Sequence, residues 1–175
     1  MEINSVDDIF AANQKIRKSL HELLSGISEE EAAADIGGQA WTIAQIVEHI
    51  AAVGEGSSKI CAKLLSKAQA DDDRSYGTVT ISENFLAKAS EISTIKVEAP
   101  AIVHPTGKTL ADSVAKLEEN AVWMEKLRSL FNSYDGTKHK FPHPFFGQIS
   151  AQEWLLLSGR HEKRHTEQIK RLLNK

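Results

Sequence analysis

A chain of 175 residues, 41% hydrophobic and 26% charged, is long enough to bury a sizeable core and too apolar for disorder. Its 21 basic and 24 acidic residues leave a net charge of only -3, so no basic surface for nucleic acid or anionic lipid is expected. The single cysteine, Cys61, allows no internal disulfide, no apolar run approaches the ~20 residues of a bilayer span, and MEINSVDDIF has no signal-peptide pattern; the expectation is one cytoplasmic domain over residues 1–175.

From Ser5 to about Ser25, Val6, Ile9, Phe10, Ile16, Leu20, Leu23 and Leu24 recur at helical spacing, with Ser5 as N-cap ahead of Asp7 and Asp8. Gly26 closes this first helix, and SEEEAAADIGGQ makes a helical turn or a loop ending in Gly37 and Gly38. The second helix starts behind Thr42, with Gln45 at the capping-box position, and buries Ile43, Ile46, Val47, Ile50 and Val53. Gly54 and Gly56 interrupt the pattern at about 1 kcal/mol each relative to Ala, and ICAKLLSKA resumes it to about Ala70, with room for a kink.

Residues 71–108 are irregular, with ENFLAKA as a short helix, and form a long excursion before a third helix from about Thr109 to Phe131. Its apolar set is Leu110, Val114, Leu117, Val122, Met124, Leu127 and Leu130. SYDGTKHKFPHPFFG reads as a loop, stiffened by Pro142 and Pro144 and turned at Gly147. The fourth helix begins at the N-cap Ser150, with Glu153 completing the capping box, and places Trp154, Leu157, His161, His165, Gln168 and Leu172 on one inward face. Four long helices and no period-two alternation make the fold class all-α, a helical bundle.

The segment HEKRH, His161 to His165, spells the zinc-peptidase pattern H-E-x-x-H. Histidines four apart on a helix can converge on one ion, although seven histidines in this chain make such a pair a modest signal, and solvated or hydrogen-bonded histidines fit it too. Peptidase chemistry is disfavoured because the tail TEQIKRLLNK offers only Glu167 as a downstream ligand and no edge strand is evident to hold a peptide. A third ligand from another helix is the remaining option, and His49, at the border of the apolar face of the second helix, is the candidate.

WTIAQIVEHIA around His49 and HPFFGQISAQEWLLLSGRHEKRHTEQI at the end resemble the DinB-like (YfiT-type) superfamily of metal-dependent enzymes over essentially the whole chain. The resemblance implies an up-down-down-up four-helix bundle with a long crossover between helices 2 and 3, and a metal held by His49, His161 and His165. It also implies either hydrolase-like activity or transfer and isomerisation with low-molecular-weight thiols, without choosing between them. The HPFFG segment is similar to a subset of the superfamily, and His143 within it is a candidate acid, base or substrate contact beside its plain reading as an exposed loop residue.

Three neutral imidazoles would leave a divalent ion's charge uncompensated and a coordination position open, which makes a bound water or thiol more acidic. Zinc or nickel suits such ligands best, with iron or manganese also compatible. Glu162 is the candidate catalytic base, Glu48 a candidate hydrogen-bond partner for a ligand histidine, and Arg164 a candidate contact for an anionic substrate. The functional expectation is hydrolysis or thiol S-transfer on a small molecule. The competing expectation is a non-catalytic bundle serving as a dimerising or stress-associated binding module, with Ile3, Phe85 and Leu86 as spare apolar residues for a homodimer.

Overall fold

A computed structural model describes residues 3–35, 41–93 and 98–174. The expected turn at Gly37 and Gly38 lies outside these described residues. The elements in chain order are helix α1 (Val6–Leu24), α2 (Glu29–Ala33), α3 (Ile43–Ala70) and α4 (Glu83–Ser93), a 3-10 turn at Ala101–Val103, α5 (Leu110–Lys126), α6 (Arg128–Ser133), strands β1 (Lys140–His143) and β2 (Gly147–Ser150), and α7 (Ala151–Leu173).

Capping fixes where the principal helices start. Ser5, Thr42 and Ser150 each accept a hydrogen bond from the amide three residues on, while the side chains of Asp8, Gln45 and Glu153 accept one from the cap residue's own amide, so orphan amides are satisfied in reciprocal pairs. α3 runs unbroken through Gly54 and Gly56. The absence of a side chain at Gly54 is used in packing, because an added Cβ would stand 3.3 Å from Nδ2 of Asn120 on α5.

Two expectations need correction. The third helix divides at Leu127, whose amide bonds Met124 three residues back, a tightened turn from which α6 departs. Leu127 and Phe131 enter the core beside Phe10, while Val122 is left 58% exposed. The expected loop at 133–147 contains most of an antiparallel hairpin, with Phe141 opposite Ile149 and His143 opposite Gly147. Its strands have four residues each, too short to declare a period of two, and Gly147 at φ +70 closes the three-residue loop that a side chain would strain.

α3 packs against α5 and α7, and α1 packs against α7. The apolar residues fall into two clusters. One gathers Val6, Ile9 and Phe10 with Leu64, Leu65, Phe131, Ile149 and Leu155; the other gathers Leu20 and Leu24 with Ile43, Ile46, Ile50, Leu117 and Ile169. Along every long helix the stretch between the two clusters is polar or small: Asn13 and Arg17 on α1, Gly54 and Ser57 on α3, Asn120 on α5, and Gly159 and Glu162 on α7. Phe85, expected as a spare interface residue, is fully buried and stacks on Phe146 at 5.0 Å between ring centres.

Candidate metal centre

The inward stripe of α7 carries His161 and His165 toward α3, where His49 stands at a buried position one turn into the apolar face. The ring centres of His49, His161 and His165 lie 4.5, 4.9 and 5.1 Å apart pairwise. One nitrogen from each ring can be chosen so that all three lie within 4.8 Å of one another, and Nε2 of His49 is 3.1 Å from Nε2 of His161. Two nitrogens on one tetrahedral ion at about 2.05 Å would stand about 3.3 Å apart, so the observed spacing fits a shared ion with a small adjustment.

On two of the rings the other nitrogen is already directed. Nδ1 of His49 lies 2.8 Å from the carbonyl of Val103, and Nδ1 of His165 lies 2.8 Å from Oε1 of Gln168. An oxygen acceptor there requires the proton on Nδ1, which leaves the Nε2 lone pair free, the arrangement that orients a histidine ligand. Burial pushes all three imidazoles toward the neutral form: His161 falls well below the usual histidine range, His165 falls to about 4, and His49 is lowered. Mutual repulsion of the rings and the charge of Arg164 add to this at His161. The donor set therefore fits a divalent ion that prefers neutral nitrogen ligands.

The segment between α3 and α5 is pinned beside His49 by adjacent residues of α3. Glu48 accepts hydrogen bonds from Thr106 through its amide and hydroxyl, and from the amides of Gly107 and Lys108, at 2.6–3.1 Å. Burial alone would raise its pKa, but these donors outweigh it and hold the carboxyl below its ordinary value. Glu48 thus fixes a loop instead of touching a ligand histidine, and the carbonyl of Val103 performs the orienting role that had been expected of it. Trp41 covers the other side of His49, with ring centres 4.9 Å apart.

Glu162, expected as the base, turns the other way. Its carboxylate is gripped by Arg17 of α1 through two parallel bonds of 2.5 and 2.6 Å, and the third guanidinium nitrogen donates to the carbonyl of Leu117 on α5. One step of 100° around the helix separates the two directions, so His161 faces α3 while Glu162 faces α1. Arg17 was missed in the sequence, yet Val6, Phe10, Asn13, Arg17, Leu20 and Leu24 follow alternating steps of four and three. A charged residue on that inward stripe was the available signal. Arg164 donates to the carbonyl of Ile92 at the end of α4.

The hairpin brings His143 to the first turn of α7. β2 leads directly into α7, and β1 pairs back along it, so the ring of His143 lies 5.1 Å from that of Trp154 and 5.0 Å from that of Phe146. Burial lowers its pKa to about 4. Cys61 is fully buried as packing, its Sγ 3.6 Å from the carbonyl of Ala151, and burial pushes the thiol up. Of the other histidines, His21 faces Glu118 at 3.8 Å, His104 contacts the carbonyl of Ala99, and His139 stands between Asp71 and Asp73.

The sequence profile of the DinB superfamily matches residues 12–169, a span that contains all three imidazoles. The chain belongs to the DinB superfamily. Among proteins related to this DinB-superfamily chain is the uncharacterized protein YuaE of Bacillus subtilis (strain 168), 25% identical over 154 residues, which are 87% of this chain and 89% of the relative. The crystal structure of TT2238, a four-helix bundle protein, superposes with a TM-score of 0.64 at 19% identity, covering 95% of this chain and 99% of that one. That likeness establishes the four-helix bundle fold.

Proposed function

We propose that this protein holds one divalent ion on His49, His161 and His165 and uses it in hydrolysis of a small molecule or in S-transfer from a low-molecular-weight thiol. The observation that carries the reading is the convergence of three neutral imidazoles whose Nδ1 protons on two rings are already committed to Val103 and Gln168. When bound, the ion would supply Lewis acidity, lowering the pKa of a coordinated water or thiol. The protein's own residues orient and shield: Trp41 walls off His49, and Arg17 holds the Glu162 carboxylate away from the imidazoles. Zinc and nickel match three nitrogen ligands best.

Under this reading Glu162 is structural, its carboxylate committed to Arg17. The connection of α3 to α5 through α4 and the 3-10 turn supports the up-down-down-up order, with the crossover bringing Val103 onto His49.

The test begins with metal analysis. Protein purified without chelator is expected to contain near one divalent ion per chain, and His49→Ala is expected to remove it as completely as His161→Ala. Retention of the ion by His49→Ala would overturn the three-histidine centre. Metal-loaded protein is then offered esters, amides, and thiols paired with electrophiles; absence of turnover across the panel would favour a metal-binding module without catalysis.

A further inference from the structure

The first turns of α7 hold a polar group that the fold leaves unused. Trp154 is 93% buried, and its indole Nε1 is a donor with no acceptor among the described residues. An indole can only donate, so an N–H buried there without an acceptor costs about as much as a lost hydrogen bond. Trp154 precedes His161 by seven residues, which places it on the same side of α7 and about 10 Å away along the axis.

Beside it stands a second donor. Nδ1 of His143 accepts from the amides of Phe145 and Phe146 at 3.1 and 3.4 Å, so the ring is neutral and its proton sits on Nε2. That Nε2–H has no hydrogen bond to any described residue. The ring is 5.1 Å from Trp154, and it is near enough to His161 that a charge on one opposes protonation of the other. The two groups thus stand on the stretch between the hairpin and the imidazoles, flanked by the apolar faces of Phe145 and Phe146. Among the described residues no carboxylate joins them: Glu153, one residue before Trp154, is committed to Ser82 and Ser150, and Glu162 to Arg17.

We propose that the Nε2–H of His143 and the Nε1–H of Trp154 form a donor pair for an acyl oxygen, carried by a carboxylate or a carbonyl, of a small molecule with an apolar body. The hairpin builds this pair independently of any ion; only the direction of the ligand's other end, toward the imidazoles, rests on the metal reading. Two fixed neutral donors in an apolar surround select an acceptor oxygen and reject an alkyl group, since the alkyl group would leave both donors unsatisfied. His143 is accordingly a binding residue, and its place in the hairpin explains why β1 must return alongside the start of α7.

The experiment follows the three indole N–H signals of Trp41, Trp123 and Trp154 in a proton–nitrogen correlation spectrum, with Trp154 assigned by its loss in Trp154→Phe. Phenylacetate and phenylacetamide are titrated into zinc-loaded and into chelator-treated protein. The expected result is a saturable downfield movement of the Trp154 signal with at least one of them, while Trp123 stays fixed. His143→Phe, which keeps the ring packing and removes the donor, is expected to weaken binding at least about 10-fold, and His143→Gln, which keeps a side-chain N–H, to recover part of that.

A second measurement needs no substitution. In nitrogen-labelled protein His143 is expected to show the Nε2-protonated tautomer, with that nitrogen moving along the same binding curve. A Trp154 signal unmoved by either compound, or a binding curve unchanged by His143→Phe, would overturn the pair. Movement that persists in chelator-treated or His49→Ala protein would leave the pair standing even if the metal centre failed. A stationary signal in protein with one zinc per chain would remove the pair and leave the centre. Tighter binding of phenylacetate assigns the oxygen to a carboxylate, and equal or tighter binding of phenylacetamide assigns it to a carbonyl.

Discussion

His161 and Glu162 are neighbours in the chain and serve opposite sides of the bundle. Toward α3, two imidazoles of α7 meet His49 as neutral groups with one nitrogen from each ring within 4.8 Å of the others, a spacing that could hold a cation. Toward α1, Glu162 and Arg17 form a pair that is complete in itself, with matched charge, two parallel hydrogen bonds, and the remaining guanidinium donor on the carbonyl of Leu117. Both sit in the polar stretch between the two apolar clusters. The difference teaches that a buried polar group signals a ligand only when its partners are missing; the literal motif H-E-x-x-H distributes one element to each case.

The comparison breaks most severely on the ion-pair side. Arg17→Ala leaves a carboxylate buried without a partner and is expected to destabilise the protein by about 3–5 kcal/mol in urea unfolding. The double replacement Arg17→Met with Glu162→Leu is expected to recover most of that loss, since an apolar pair of similar volume needs no desolvation of charge. The ion content of the folded double variant should stay near one per chain. Loss of the ion there would show that Glu162 does take part in the centre.

Acid acts on the imidazole side. The folded values of His49, His161 and His165 lie below the ordinary histidine value of 6.5, so the unfolded chain takes up protons first as the pH falls. Stability of the metal-free protein is therefore full above about pH 6.5 and declines toward pH 4. For His165, whose value falls to about 4, the decline by pH 5 is about 2 kcal/mol. Urea unfolding at pH 7.5 and pH 5, compared between the chain and His165→Asn, checks both the sign and the share of this group.

A smaller effect sharpens the imidazole side alone. Gln168→Ala removes the acceptor that holds the His165 ring in its tautomer, and is expected to weaken metal affinity about 10- to 100-fold with little change in metal-free stability. Competition with a chromophoric chelator measures it. Smallest is Gly159→Ala, on the side facing α1. A Cβ there would meet the side chain of Asn13, whose Nδ2 donates to the carbonyl of Leu155. Helix propensity gains about 1 kcal/mol, yet displacement of Asn13 and the close helix contact are expected to make the net change destabilising by about 1 kcal/mol in thermal unfolding.

Much of this molecule is local in origin. The capping boxes at Thr42 and Ser150 are three-residue signals, which is why the starts of α3 and α7 are legible in the sequence, and the four-residue spacing of His161 and His165 places them on one face by helix geometry alone. The break at Leu127 and the hairpin after it escape local reading, because the first depends on packing beside Phe10 and the second on strands of four residues paired across a turn.

The sequence by itself determined where the long helices start, the inward histidine stripe and the family, since each rests on residues within a few turns of one another or on a pattern spread along the chain. Only the tertiary structure decided that Val103 faces His49, that Arg17 takes Glu162, and that His143 returns to Trp154. These contacts join residues separated by 54, 145 and 11 positions, and the last depends on the hairpin's turn. No local spacing encodes such partners, because which faces meet is set by how the long helices pack and where the connecting segments are forced to cross.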